Sequence, residues 1–295
     1  MTTVGWPDAY GAEAKERMGF FTDTSICIGC KACEVACKEW NLVPDDGLVW
    51  TGESYDNTSE LGANTWRHVA FVEQQKPARS ADEGKEDVLR WLMSSDVCKH
   101  CTHAACLDVC PTGALFRTEY GTVVVQQDIC NGCGYCVPAC PFGVLDRREL
   151  PRHSGDPPAE ILGLQLGRKE DGRVWKCTLC YDRLKGGHGP ACAKACPTDS
   201  IQFGPLDDLR ARADERLAKL ETEGWNGARL YGRDPDDGVG GFGAFFLLLD
   251  EPEVYGLPPD PVVTTKHLPE MWVTTAVAAA ATVVGAALAF LGGRE

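Results

Sequence analysis

Hydrophobic and polar positions divide the chain into one long apolar run and many short periodic ones. Residues 273–291 (VTTAVAAAATVVGAALAFL) carry no charge, and as a helix they span about 29 Å at roughly 1.5 Å per residue, close to the apolar thickness of a bilayer. This predicts one C-terminal transmembrane helix, with Trp272 as interface anchor and Lys266, His267 and Arg294 as flanking charges. A buried Ala-rich core helix is the alternative. Ala281, Gly285 and Ala289 recur every four residues, a smooth face suited to another membrane helix. The run has no histidine, so it offers no haem ligand inside the bilayer.

Elsewhere the periods are short. ALFRTEYGTVVVQQD (114–128) carries β-branched residues around Tyr120-Gly121 and predicts a β-hairpin, and TDSIQFG (198–204) reads as the start of another. TWRHVAFVEQQ (65–75) predicts a strand inside a polar insertion over 42–85 that wraps the core or meets a partner, and FGAFFLLLD (242–250) predicts a buried strand. In 206–223, Leu209, Ala213, Leu217 and Leu220 share one face behind Asp207 as N-cap, which predicts an amphipathic helix. EPEVYGLPPDPVV (251–263) is proline-rich and reads as an extended tether. The predicted organisation is a cluster domain over 1–260, a tether over 261–272 and the spanning helix over 273–291.

Composition changes this picture at one point. The chain has 295 residues, 44% of them hydrophobic, enough for a packed core, and its net charge of -14 argues against a nucleic-acid surface. It also has 16 cysteines. They fall into four groups of four: Cys27, Cys30, Cys33, Cys37; Cys98, Cys101, Cys106, Cys110; Cys130, Cys133, Cys136, Cys140; and Cys177, Cys180, Cys192, Cys196. Groups one and three read C-x2-C-x2-C-x3-C, group two stretches one gap, and the middle gap of group four is longer still. Short helices are expected after the third cysteine, and Pro111, Pro141 and Pro197 follow the fourth in groups two to four.

A cubane cluster takes four thiolates, and a C-x2-C-x2-C loop supplies three. In the bacterial two-cluster run the fourth cysteine ligates the other cluster, so such motifs work in pairs. Four [4Fe-4S] clusters use all sixteen cysteines. A disulfide framework would need close-spaced cysteines to find distant partners many times over, whereas a four-cysteine zinc site fits group four taken alone and remains the stronger rival. Lys31, Lys38, Lys99 and Lys176 adjoin ligand positions, where they either stabilise a reduced cluster or sit solvated at the surface. His100 and His103 lie inside an already complete quartet, which leaves them hydrogen bonding or packing. No nucleotide loop, G-x-S-x-G or H-E-x-x-H occurs. The reading is a non-catalytic electron carrier with partners at both ends. The N-terminal stretch shows neither a basic-apolar export signal nor a twin arginine.

CIGCKACEVACKEWN followed by SYDN, CNGCGYC with ACPF, KCTLCYDR, PACAKACPTDSIQFG, GVGG before a strand, YGLPPDP and the single final span resemble the iron-sulfur beta subunits of molybdopterin oxidoreductases, and within them those of membrane-bound respiratory formate dehydrogenases. The resemblance runs from about Gly19 to the C-terminus. It implies an α+β fold of tandem bacterial ferredoxin-like [4Fe-4S] modules with insertions, plus one C-terminal transmembrane helix. By the family pattern Cys27, Cys30 and Cys33 join Cys196; Cys177, Cys180 and Cys192 join Cys37; Cys98, Cys101 and Cys106 join Cys140; and Cys130, Cys133 and Cys136 join Cys110. The implied partners are a molybdenum or tungsten pterin alpha subunit, a cytochrome b gamma subunit that reduces quinone, and the cytoplasmic membrane, with the cluster domain on its outer side. The tail after the span is shorter than is usual in the family. Other readings remain open: the same wire for a polysulfide, thiosulfate or sulfoxide reductase or a hydrogenase, a free-standing ferredoxin, or a structural zinc module.

Overall fold

The most apolar stretch outside the predicted span becomes the middle of a sheet. The computed structural model describes residues 13–46, 50, 52, 55, 57, 58, 60–75, 89–148, 172–263, 265 and 267–292. In chain order its elements are β1 (Met18–Asp23), α1 (Ala32–Asn41), β2 (Arg67–Gln75), β3 (Leu89–Val97), α2 (Ala105–Asp108), β4 (Leu115–Arg117), β5 (Val123–Val125), α3 (Cys136–Ala139), β6 (Asp146–Arg147), β7 (Val174–Trp175), α4 (Tyr181–Lys185), α5 (Ala191–Lys194), β8 (Ile201–Pro205), α6 (Leu206–Thr222), β9 (Arg229–Tyr231), β10 (Ala244–Leu248) and α7 (Leu268–Gly292). β10 is buried along its whole length, as a strand covered on both faces must be. It pairs in parallel with β1, Phe20 opposite Ala244, and the sheet runs β8-β1-β10-β9.

The alternation of β1 sorts the core into two layers. Phe20 faces the cysteine side with Leu179, Ile201 and Val69, whereas Phe21 stacks on Phe245 at 5.3 Å within a second layer that includes Leu209, Ala213 and Leu220 of α6. Burying each such leucine contributes roughly 1.5–3 kcal/mol. Leu209, Ala213 and Leu220 are buried and Leu217 half-buried, so the predicted helix face holds. Its cap differs: Pro205 is the N-cap, and Asp207 lies in the first turn, where it accepts from Arg210 at 3.3 Å. An acidic residue there still favours the helix through the macrodipole.

The predicted hairpin forms from β4 and β5, Leu115 opposite Val125. TDSIQFG does not open a second one: β8 pairs antiparallel with β1 and passes without a turn into α6. β2 pairs with β3 over nine registers, Arg67 opposite Val97 to Gln75 opposite Leu89, and β6 with β7. The proline-rich segment is laid on the body rather than extended. Pro252–Tyr255 makes a one-turn helix, Tyr255, Leu257 and Val263 are buried, and Val263 N–H donates to Gly238 O at 3.2 Å.

α7 begins at Leu268, before the uncharged run. Its stretch Glu270–Gly292 is long and apolar enough to cross a membrane, and none of it is buried against the body. Just ahead of it, Thr265 Oγ1 donates to the Asp108 carboxylate at 2.5 Å. Lys85 of the insertion, Ser54 and Asp56 of SYDN, and the flanking charges Lys266 and Arg294 lie outside the described residues.

Candidate functional site

Each cysteine group begins with a C-x2-C loop, and all four loops make the same turn. The residue before the second cysteine is left-handed in every case: Gly29 at φ 64°, His100 at 45°, Gly132 at 72° and Leu179 at 58°. Glycine adopts this backbone freely, whereas a side chain costs roughly 1–2 kcal/mol there. At the two glycines a Cβ has no room: it would lie 2.6 Å from the Phe71 ring at Gly29 and 2.2 Å from Gly172 O at Gly132. His100 and Leu179 are almost fully buried, and packing holds them in the strained turn.

All sixteen thiols are free of disulfides. Cys27, Cys30, Cys33 and Cys196 line one small cavity together with Val69, Ser95 and Ser200. The Cys37 thiol adjoins Cys177, Cys192 and Cys180, and the Asn41 amide donates to both Cys37 Sγ at 3.6 Å and Cys180 Sγ at 3.8 Å. Cys101 has Cys98, Cys106 and Cys140 as its charged neighbours, and Cys136 has Cys110, Cys130 and Cys133. Each of these neighbourhoods brings together thiols from two different cysteine groups.

These sites oppose thiol ionisation in the absence of a bound cation. Burial, with neighbouring thiols adding to it, pushes Cys106, Cys136 and Cys177 up to about 12 and holds Cys37 and Cys101 well above the ordinary thiol range. Burial also raises Cys27, although a backbone N–H at Gly29 and the Ser200 hydroxyl pull it back. At Cys110 burial is outweighed by hydrogen bonds from Leu115, Thr112 and Ala114, so that thiol falls below its usual value. Four thiolates can share a dry site when a polycationic core neutralises them, and N–H donors to sulfur are a feature of cluster ligation. The donor set, four thiols to a site with N–H groups near the sulfurs, fits a cubane.

Neighbouring groups are also coupled. Cys33 feels the charge of Cys192, Cys177 that of Cys98, and Cys106 that of Cys136, an order consistent with a row of thiol neighbourhoods that starts at the Cys27 cavity.

The lysines divide. Lys31 pairs with Glu34 at 3.1 Å and Lys38 with Asp46 at 2.6 Å, both partly exposed, whereas Lys99 and Lys176 are each 1% exposed. Lys99 is bound by Asp96 and by Val97 O at 2.9 Å, and Lys176 by Val123 O and by Cys177 O at 2.8 Å. His100 Nδ1 accepts from Val123 N–H at 3.0 Å, which places the ring proton on Nε2. Burial, with Lys176 and Arg117 adding to it, holds His100 well below its ordinary range, so the ring is neutral. His103 packs its ring against the bare face of Gly240.

Several contacts were not legible as site residues. Asn41 is one, and Thr112 and Thr198 are two more, reaching Cys110 at 3.6 Å and Cys196 at 3.8 Å. The repeated Cys-Pro-Thr at 110–112 and 196–198 is the sequence signal for that pair. Ser95 lies 3.2 Å from Cys33 Sγ, and Arg67, fully buried, holds the Ser95 hydroxyl at 3.0 Å.

Comparison with known proteins agrees with this geometry. Three models of a 4Fe-4S dicluster domain match residues 26–114, 89–153 and 129–201. The nitrate-inducible formate dehydrogenase iron-sulfur subunit of Escherichia coli is 39% identical over 264 residues, 88% of this chain and 79% of that subunit. The formate dehydrogenase iron-sulfur subunit of Haemophilus influenzae is also 39% identical, over 87% of this chain and 73% of its own length. A subunit of the anaerobic dimethyl sulfoxide reductase of E. coli is 34% identical over 68% of this chain and 80% of its own length. The protein carries four [4Fe-4S] clusters and its role is electron transfer, within an α+β fold of tandem ferredoxin-like modules. By its sixteen gathered thiols and by homology along most of its length, this chain belongs to the formate dehydrogenase iron-sulfur subunit family.

Proposed function

We propose that this chain moves electrons from a molybdenum or tungsten pterin formate dehydrogenase subunit to a membrane cytochrome b subunit. Its cluster ligands are Cys27, Cys30, Cys33 and Cys196; Cys177, Cys180, Cys192 and Cys37; Cys98, Cys101, Cys106 and Cys140; and Cys130, Cys133, Cys136 and Cys110. The carrying observation is the cavity whose cysteines are Cys27, Cys30, Cys33 and Cys196, three from one end of the sequence and one from far along it. When bound, each cluster supplies a reversible one-electron step. The protein's own part is to hold the row, exclude water and bias the charge of each site, with no substrate chemistry of its own.

Residues 1–260 form the cluster domain, 261–272 lead to the bilayer and 273–291 span the cytoplasmic membrane, with the cluster domain on the outer face as the family resemblance implies. The bond from Thr265 to Asp108 supports a polarity for the row. Asp108 lies midway between Cys106 and Cys110, so the pair of sites built from the second and third cysteine groups lies toward the membrane subunit. The Cys27 site, at the other end of the row, then faces the catalytic partner. The sulfoxide reductase relative keeps the same wire in view for another catalytic subunit, but its match covers less of this sequence than the formate dehydrogenase matches do.

The test is iron and zinc analysis with electron paramagnetic resonance of the dithionite-reduced complex in detergent. About sixteen irons per chain, four for each of four clusters, with formate-dependent dye reduction by the co-purified subunit, is the expected result. Zinc in place of iron would sink the cluster assignment, and full iron with no response to formate would sink the choice of partner.

A further inference from the structure

Arg67 sits in an environment that its sequence position does not explain. It lies on β2 with 1% of its surface exposed, and its guanidinium packs over the Phe20 ring at 4.9 Å. Nη1 donates to Ser95 O at 3.2 Å and to Ser95 Oγ at 3.0 Å, while Nε and Nη2 are buried without a conventional acceptor. No carboxylate pairs with it among the described residues. The nearby buried Glu34 is already engaged by Lys31 and by Val69 N–H. A fully buried guanidinium with no anion is costly, because the low-dielectric interior does not replace its hydration.

Sulfur is what surrounds it. The charges that offset burial and raise its pKa are those of Cys192, Cys33, Cys177 and Cys37. Ser95 extends the contact to Cys33 Sγ at 3.2 Å. Cys33 belongs to the site closed by Cys196, and Cys192, Cys177 and Cys37 to the next site in the row. Lys99, the comparable cation farther along, already has Asp96.

We propose that Arg67 is a shared positioning charge between the Cys27–Cys30–Cys33–Cys196 and Cys177–Cys180–Cys192–Cys37 sites, making reduction easier at both while leaving the other two sites nearly untouched. The inference rests on the ligand assignment above. Reduction adds one negative charge to a cluster, and an uncompensated cation in a dry interior favours that state at every site within reach. Because the guanidinium keeps its charge at all working pH values, its bias is constant.

The experiment is a redox titration of the full-length protein in its complex, followed by electron paramagnetic resonance, for wild type, Arg67→Gln and Arg67→Lys. With iron content retained, Arg67→Gln is expected to lower two of the four midpoint potentials and leave two in place, while Arg67→Lys, which keeps the charge, stays close to wild type. An Arg67→Gln protein whose four potentials are unmoved, or all move alike, overturns the proposal. Loss of iron from both variants overturns it too, because Arg67 would then be a folding residue. A wild-type protein showing fewer than four clusters would instead defeat the ligand assignment itself, a result distinct from any of these.

Discussion

The evenly spaced cysteine groups and the stretched ones build one turn from different residues. Groups one and three place Gly29 and Gly132 before their second cysteine, and groups two and four place His100 and Leu179 there, yet all four residues are left-handed. The repeat preserves a backbone shape that aims two thiols into one site. In the stretched groups the strain is held by side chains with second tasks: His100 accepts from Val123 N–H, and Leu179 fills the layer around the cysteines at 0% exposure. Glycine is required where the turn is crowded from outside, and is dispensable where the side chain is itself the packing.

The comparison breaks most severely if the exchange of ligands between unlike groups is cut. Cys37→Ser is expected to remove the cluster served by Cys177, Cys180 and Cys192, with iron falling by about four per chain, and iron analysis with spectroscopy reads this directly. A loss confined to the Cys27, Cys30 and Cys33 signal would refute the exchange. Next in size is Gly132→Ala. Its Cβ would meet the Gly172 carbonyl, backbone that cannot rotate away, on top of a φ of 72°, so thermal unfolding should show a loss of at least about 2 kcal/mol. The corresponding Gly29→Ala meets the side chains of Phe71 and Met93 and should cost less. The smallest effect is the sharpest. Leu179→Ala opens a cavity worth roughly 2–5 kcal/mol, but Leu179→Gly, although it removes one carbon more, should be the milder of the two by about 1 kcal/mol because it relaxes the left-handed turn. Equal or reversed stabilities would show that the turn at Leu179 carries no strain.

What was legible in the sequence was what its chemistry encodes locally. Cysteine spacing, the hairpin around Gly121 and the apolar face of α6 are short-range patterns, and each is present. The partner of Ile201–Pro205 is β1, some 180 residues upstream by their registered pairs, and no local pattern names a distant partner. β3 escaped notice because Ser94, Ser95 and Asp96 interrupt its apolar alternation, although both serines are buried. Arg67 is the instructive case. In TWRHVAF it alternates onto the same face as Val69, which marks it as a cation in a core position, but only the fold reveals that the neighbours are thiols from two different groups. The proline-rich segment misled in the opposite sense, since Tyr255 and Leu257 between its prolines and Val263 just after them anchor it to the body.

The central sheet also dictates a timetable. β1 leaves the ribosome well before either strand that flanks it, because β8 and β10 lie roughly 180 or more residues later in the sequence. Its apolar Phe20 and Phe21 must therefore wait, exposed, through most of synthesis, the situation in which chaperones earn their place. The same delay keeps Cys27, Cys30 and Cys33 apart from Cys196 until roughly 160 further residues have been made. Iron delivered early would meet an open three-thiol loop, so that site can be completed only once Cys196 has been made.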